Sequence, residues 1–315
     1  MLYQFDFRPY QRQFNRPLQT NHGTWNIREG IILRLQDNTG AVTWGEIAPI
    51  SWFGSETLAE ALKFCRQLPT TITAEIIYSI PSHLPACQFG FESALLGLSG
   101  SSLPIQLKYS ALLPAKESAL QTWQNLWKQG YSTFKWKIGV APIQQEIAIF
   151  KQLIQALPKL AKLRLDANGG LTWETAKQWL EICENVDIIE YIEQPLPINQ
   201  FANVLALNKQ YSTPIALDES VATLPQIHAC YHQGWRGIFV IKPAIAGFPS
   251  QLRQFCQNYT IESVFSSVFE TAIARNAALN LAAEIQSENK AVGFGINHWF
   301  KEDNETWLEK IWNPL

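Results

Sequence analysis

Lys137, Asp166, Glu193, Asp218 and Lys242 each stand at or near the end of a short apolar run, and they follow one another at steps of 29, 27, 25 and 24 residues. The runs are Phe134-Lys135-Trp136-Lys137-Ile138, Leu163-Arg164-Leu165-Asp166, Ile189 to Pro195, Ile215-Ala216-Leu217-Asp218-Glu219 and Ile238 to Pro243. Three carboxylates on neighbouring elements suit a hard divalent cation with open positions, Mg²⁺ first and Mn²⁺ as a substitute. A lysine on each side adds two groups that can handle protons. Such a set is suited to removing a proton α to a carboxylate. That proton is weakly acidic because its loss puts two negative charges on one small group, and a cation on the carboxylate oxygens stabilises them as they form. The base must be a neutral amine near pH 7, a state that neighbouring positive charge favours. Lys135 and the metal would place that charge beside Lys137. Racemisation, cycloisomerisation and β-elimination all begin with this step.

Such a constellation needs a scaffold that delivers one strand end after another to a common face. A strand, a helix and two loops occupy about this spacing in a parallel α/β protein, and charges on successive strand ends point to a TIM-type barrel, whose chemistry sits at the C-terminal face. Lys135 and Lys137, two apart on one strand, both face the barrel interior, and Trp136 faces the helices. Ile105 to Leu113 supplies a first strand, the five runs strands two to six, Ser263 to Ser267 the seventh and Ala291 to Gly295 the eighth. The lysine pair and Lys242 then lie on opposite walls. Helices are expected from Thr172 to Cys183 and from Thr271 to Ile285, where apolar residues recur at a spacing of three to four.

Ahead of the barrel, residues 1 to about 50 read as β-rich. Leu2 to Phe7 alternates, Gly30 to Leu35 is apolar, and Asp37-Asn38-Thr39-Gly40 is a hairpin turn. Helical segments follow around 55–68 and 87–98, and Leu103-Pro104 marks a break. The fold expected is α/β: an α+β domain over residues 1–100, a modified (β/α) TIM-type barrel over 101–295, and a tail over 296–315 that packs back on the first domain.

The bulk composition narrows the function classes. The chain has 315 residues, 47 % of them hydrophobic and 17 % charged, and a net charge of −2, so it lacks the basic footprint of a nucleic-acid or anionic-membrane binder. No run of 18 apolar residues is present to span a bilayer. The N-terminus alternates like a strand and lacks the apolar core of a signal peptide. Five scattered cysteines without a CxxC spacing read as reduced thiols. These features describe a soluble cytoplasmic protein acting on a small-molecule carboxylate; they leave its oligomeric state open.

Each residue alone has a plainer reading. A single charged strand end is commonly a solvated terminus or half of an ion pair, and Gly169-Gly170 can be only a turn. Glu190, Glu219 and Arg164 neighbour the ligand positions and read as groups that support the ligands from behind. His22, His83, His228, His232 and His298 show no ligand spacing, and a packing or surface role suits each. The order and spacing of the set carry the case.

These residues resemble the enolase superfamily, in its muconate-lactonising-enzyme subgroup and there the o-succinylbenzoate synthases. The motifs are Lys135-Trp136-Lys137, Asp166-Ala167-Asn168, Ile192-Glu193-Gln194-Pro195, Leu217-Asp218-Glu219-Ser220 and Ile241-Lys242-Pro243. The likeness spans nearly the whole chain and implies that the first domain is a capping domain completed by the C-terminal tail. It implies Lys137 as general base and then as the acid assisting hydroxide departure in a syn-dehydration, Asp166, Glu193 and Asp218 as Mg²⁺ ligands, Lys242 stabilising the enediolate from the other face, and Lys135 adding charge near the substrate carboxylate. It further implies Asn168 at the substrate or a metal-bound water, and Ser266 and Ser267 at a distal succinyl carboxylate. Capping loops near 15–25 and 50–56 would close over the site and exclude water, with Trp52 and Phe53 suited to a ring-bearing substrate or to packing.

Subgroup resemblance leaves the reaction open, because racemases and dipeptide epimerases also use two opposed lysines. Those epimerases usually carry an Asp-x-Asp on the eighth strand for the substrate ammonium; here the stretch reads Gly293-Phe294-Gly295-Ile296-Asn297-His298-Trp299-Phe300-Lys301-Glu302-Asp303. Gly295 leaves room instead, and the stretch is similar to synthases of the phylloquinone and menaquinone route. The expected reaction is conversion of 2-succinyl-6-hydroxy-2,4-cyclohexadiene-1-carboxylate to 2-succinylbenzoate. The alternatives are a dipeptide epimerase, an N-acylamino acid racemase, a muconate-type cycloisomerase and a barrel that only binds ligand.

Overall fold

The computed structural model describes residues 1–20, 23–98, 107–286, 290–295, 299–300 and 305–312. Alternating residues at the N-terminus form an antiparallel sheet of β1 (Leu2–Thr20), β2 (Gly23–Gln36) and β3 (Val42–Ile47). The β1–β2 ladder runs from Gln4↔Gln36 to Thr20↔Gly23 and slips between Gln13 and Leu18, where Pro17 has no N–H to donate. Helix α1 (Leu58–Gln67) begins at a reciprocal Thr57–Glu60 cap, and β4 (Thr71–Thr73) adds to the free edge of β1, giving the order β3-β2-β1-β4. Helices α2 (Ala74–Tyr78) and α3 (Pro85–Gly97) complete this part. β4 and α2 were not expected from the sequence. α3 presses on β3 where two glycines meet: a Cβ on Gly45 would stand 2.1 Å from the Gly90 carbonyl oxygen.

From residue 110 strand and helix alternate. The order is β5 (Ser110–Leu112), α4 (Ala119–Lys128), β6 (Thr133–Lys137), α5 (Ile143–Ala156), β7 (Lys162–Asp166), α6 (Trp173–Cys183), β8 (Ile189–Glu193), α7 (Phe201–Gln210), β9 (Ile215–Leu217), α8 (Leu224–His232), β10 (Ile238–Ile241), α9 (Pro243–Ala246), α10 (Pro249–Asn258), β11 (Glu262–Phe265) and α11 (Ala272–Ile285). All seven strands are parallel and adjacent in chain order. Thr172 and Thr271 cap α6 and α11.

The expected eighth strand is reduced to two residues. Ser110 N donates to Val292 O (2.9 Å) and Val292 N to Lys108 O (2.8 Å), while Gly293 N donates to Phe265 O (2.7 Å) and Ser267 N to Gly293 O (3.1 Å). Val292 and Gly293 thus bridge the two edge strands of the sheet and join its ends. Side-chain parity follows the barrel: Tyr191, Ala216, Ile238, Val240 and Val264 form a separate inner cluster, whereas Trp136, Ile192, Leu217, Phe239, Ile241 and Phe265 belong to the main core under the helices.

Buried polar groups join the N-terminal part to the barrel. Glu46 is fully buried and accepts hydrogen bonds from Thr271 N, Thr271 Oγ1 and Ala274 N at the start of α11, and from Tyr10 Oη. The Arg28 guanidinium donates to Ala48 O (2.6 Å), Pro49 O (3.0 Å) and, across the junction, Val268 O (3.1 Å). Helix α12 (Glu305–Trp312) lies against β1, with Trp307 edge-on to Tyr10 and Trp312 edge-on to Trp44.

Candidate active site

At the C-terminal ends of β6, β7 and β8, Lys137 pairs with Asp166 and Asp166 with Glu193. Glu193 pairs with Ala216, two residues before Asp218, and Lys242 follows the last residue of β10. The five positions therefore lie around one arc of the barrel mouth. Lys135, one inward step below Lys137, places Nζ 3.0 Å from Asp166 Oδ2 and 2.5 Å from Glu193 Oε1. Lys242 donates to Asp218 Oδ1. From the N-terminal part, the turn Ser51–Phe53 lays the Phe53 ring over Lys242, with Nζ 4.0 Å from its centroid. Phe53 thus brings the first domain into contact with the barrel's chemistry.

Burial dominates the electrostatics. It pushes Glu193 up to about 8, even though Lys135 pulls the other way, and it raises Asp218 against the pull of Lys242. Asp166 is also desolvated, but Lys135 and Lys137 outweigh burial and hold it below the usual carboxylate range. Burial alone would lower Lys135; Asp166 and Glu193 overcome it and hold the ammonium charged.

The other residues singled out in the sequence lie around this arc. Asn168, in the left-handed region at φ 44°, donates from Nδ2 to Glu219 Oε1 (3.1 Å). Arg164 lies one layer down the barrel, donating to Glu190 Oε2 (2.6 Å) and to Ala291 O (2.7 Å) across the lumen. Glu190 reaches it because the β7–β8 register slips between Leu163 and Arg164. Ser266 bridges to Gly293 at the β11 end. The Ser267 hydroxyl is engaged with its own loop, donating to Glu270 Oε2 (2.8 Å) and accepting from Phe269 N (2.8 Å). Gly295 does not leave the open room expected of it, because the position a Cβ would take is 2.7 Å from Ser110 O. Asn297, His298, Lys301, Glu302, Asp303 and His22 lie outside the described residues, while His228 and His232 stack on each other in an aromatic cluster with Phe255 and Tyr259, away from the strand ends.

Among the described residues no three ligand-type side chains converge as placed into a ready metal cage. The donor set nonetheless fits a divalent cation. Glu193 Oε2 and Glu219 Oε2 are buried and make no hydrogen bond among the described residues, and two of the three carboxylates are destabilised by desolvation.

Comparisons with known proteins give the family. Residues 118–310 match the family described as “Enolase C-terminal domain-like”, and residues 8–98 match “MenC, N-terminal domain”. The chain is 41 % identical over 321 residues, 99 % of each partner, to an o-succinylbenzoate synthase of Thermosynechococcus vestitus. The chain belongs to the o-succinylbenzoate synthase family of the enolase superfamily. A solved o-succinylbenzoate synthase of Thermosynechococcus elongatus, complexed with Mg in its active site, superposes with a TM-score of 0.91 over 99 % of this chain and all of that one. The L-Ala-D/L-Glu epimerase of Bacillus subtilis superposes with a TM-score of 0.79 over 95 % of this chain and 91 % of that one, at 22 % identity, and shares the fold. Enolase-superfamily membership accounts for the capped barrel.

Within this family frame, sequence reasoning missed one residue of the site. Gln194, between Glu193 and Pro195, is fully buried at φ 39° and uses both ends of its amide beneath the carboxylates. The signal available was a lone uncharged polar residue between an acid and a proline, which the search for titratable groups passed over.

Proposed function

We propose that the chain is an o-succinylbenzoate synthase that dehydrates 2-succinyl-6-hydroxy-2,4-cyclohexadiene-1-carboxylate to 2-succinylbenzoate with Mg²⁺. The observation that carries this reading is the 41 % identity over 99 % of both chains, joined to a barrel mouth where three carboxylates lie between lysines. Asp166, Glu193 and Asp218 hold the cation, which when bound supplies Lewis-acid charge at the substrate carboxylate. Lys137 removes the α-proton and then delivers a proton to the departing hydroxide on the same face. Lys242 faces the developing enediolate from the opposite wall, and Lys135 keeps the buried carboxylates charge-balanced near the substrate. Asn168, Ser266, Ser267 and Gly295 line the substrate's path, and Glu219 and Arg164 support the ligand positions from behind. Residues 1–100 with 296–315 form the cap over the 101–295 barrel, and the segments 15–25, paired as the ends of β1 and β2 rather than the loop expected, and 50–56 exclude water from the site.

Cytoplasmic location belongs to the same proposal. It is supported by five free cysteines and by the finding that, among the described residues, no helix is long and apolar enough to cross a membrane. A net charge of −2 supports a small-molecule substrate rather than nucleic acid. The test is a steady-state assay of the purified protein with the cyclohexadiene substrate, in Mg²⁺ and then in EDTA. Rapid aromatisation that stops on chelation is expected. Slow turnover, or turnover indifferent to EDTA, shifts the reading to an epimerase or cycloisomerase of the superfamily.

A further inference from the structure

We infer that Gln194 is the positioning residue that fixes the three carboxylates relative to one another and so sets the affinity for the cation; this rests on the metal-binding reading of Asp166, Glu193 and Asp218. The backbone of Gln194 ties the neighbouring strand exits together: its N–H donates to Ala216 O (2.8 Å), and its carbonyl accepts from Gly169 N (2.7 Å) in the loop that follows Asp166. Its side chain finishes the link. Oε1 accepts from Asp218 N (3.0 Å) and Ser220 N (3.2 Å), while Nε2 donates to Leu196 O (3.0 Å) and the Ser220 hydroxyl (2.8 Å). One residue thus connects the exits of β7, β8 and β9, each of which carries one carboxylate.

The requirement for glutamine follows from the partners. Two are N–H donors and one is a carbonyl acceptor, so the side chain must accept at one end and donate at the other. A carboxylate cannot donate to Leu196 O, and an apolar side chain would leave the buried Asp218 and Ser220 amides unpaired. The chain leaves β9 at Asp218 with φ −122° and ψ −76°, neither strand nor helix, so the backbone there depends on external hydrogen bonds for its direction. The left-handed φ of Gln194, unusual for a non-glycine residue, persists because its surroundings fix both its backbone and its amide.

The test is calorimetric titration of Mg²⁺ into the metal-free full-length protein, with the unfolding temperature measured in EDTA alongside. Gln194→Met keeps the side-chain length and removes all four amide contacts; a tenfold to hundredfold loss of Mg²⁺ affinity is expected, about the size seen when groups behind metal ligands are removed. Ser220→Ala removes one of those contacts and shifts affinity in the same direction by less than Gln194→Met does. A purely structural role would lower the unfolding temperature and leave Mg²⁺ affinity alone. Wild-type affinity in a folded Gln194→Met protein overturns the inference, as does unchanged affinity in Ser220→Ala if Gln194→Met does not fold. Failure of the wild type itself to take up Mg²⁺ removes the metal reading, and the inference with it; uptake by the wild type and both variants alike removes the inference alone.

Discussion

The ammonium of Lys135 lies 2.5 Å from Glu193 Oε1, across the strand that carries Asp166. A single cation therefore serves two buried carboxylates on adjacent strands, in a place where a divalent metal would serve the same purpose. Removing one member of a buried pair leaves its partner desolvated and uncompensated, which costs about 3–5 kcal/mol. Lys135→Met should accordingly unfold at a lower temperature than the wild type in EDTA, and Mg²⁺ should recover more of that loss than it adds to the wild type. Scanning calorimetry with and without Mg²⁺ decides this; equal Mg²⁺-induced increments in the two proteins contradict it.

Strand parity gives neighbouring residues opposite phenotypes. Lys137 is half-buried at the barrel mouth, whereas Trp136 is fully buried outside the barrel, edge-on to Trp179 of α6. Lys137→Met should lose at least about a hundredfold in turnover, as general-base removal does, while keeping Mg²⁺ uptake and the unfolding temperature. Trp136→Ala should lose about 3–5 kcal/mol of stability and retain the kcat of its folded fraction. Kinetics and denaturant unfolding of the two variants separate the roles, and a Lys137→Met enzyme that still turns over would remove the base assignment.

The barrel half was legible because five consecutive strands are short, largely buried and end on or just before a charged residue. The closing segment was legible only in part: Val292 and Gly293 make their bonds through backbone to two strands far away in sequence, so no local period of two develops. Glu190 meets Arg164 through a register slip that no residue type announces. The contacts of Glu46 with Thr271, and of Arg28 with Val268, link positions more than two hundred residues apart. Such links are set by how the domains dock, and a single sequence carries no trace of the partner. Gln194 escaped for a chemical reason, since an amide does not titrate and its importance lies in having both a donor and an acceptor end.

Stability should carry a pH signature from Glu270. Burial, reinforced by the nearby Glu46 carboxylate, pushes this group from 4.5 up to about 7, while Ser267 and Val268 donate to it. A carboxyl with a raised value holds its proton more tightly folded than unfolded. Its contribution is therefore fully present below about pH 4.5 and is lost as the pH rises through about 7. The gap corresponds to about 3 kcal/mol at most. Glu270→Gln mimics the protonated form and keeps an acceptor for Ser267 and Val268. Relative to the wild type it should be more stable at pH 8 and indistinguishable at pH 4; a difference independent of pH counts against the assignment.

Phe53 supplies the most direct test of the N-terminal domain's part in the chemistry. Its ring faces Lys242, whose ammonium is 4.0 Å from the centroid and bonded on another side to Asp218. A cation over an aromatic face is held by the ring's electron density, by about 0.5–2 kcal/mol depending on desolvation. Phe53→Leu keeps an apolar side chain over the site and loses that face, so Lys242 gains freedom to leave the position beside Asp218 from which the proposed mechanism uses it. A fall in kcat/KM of roughly twofold to thirtyfold follows from that energy, with Mg²⁺ affinity nearly unchanged because the ring acts on Lys242, which is not one of the proposed ligands. Phe53→Trp retains a π face and should keep most of the activity. If packing alone is the role of Phe53, leucine will serve better than the bulkier tryptophan, and steady-state kinetics of the two variants will rank them in the opposite order.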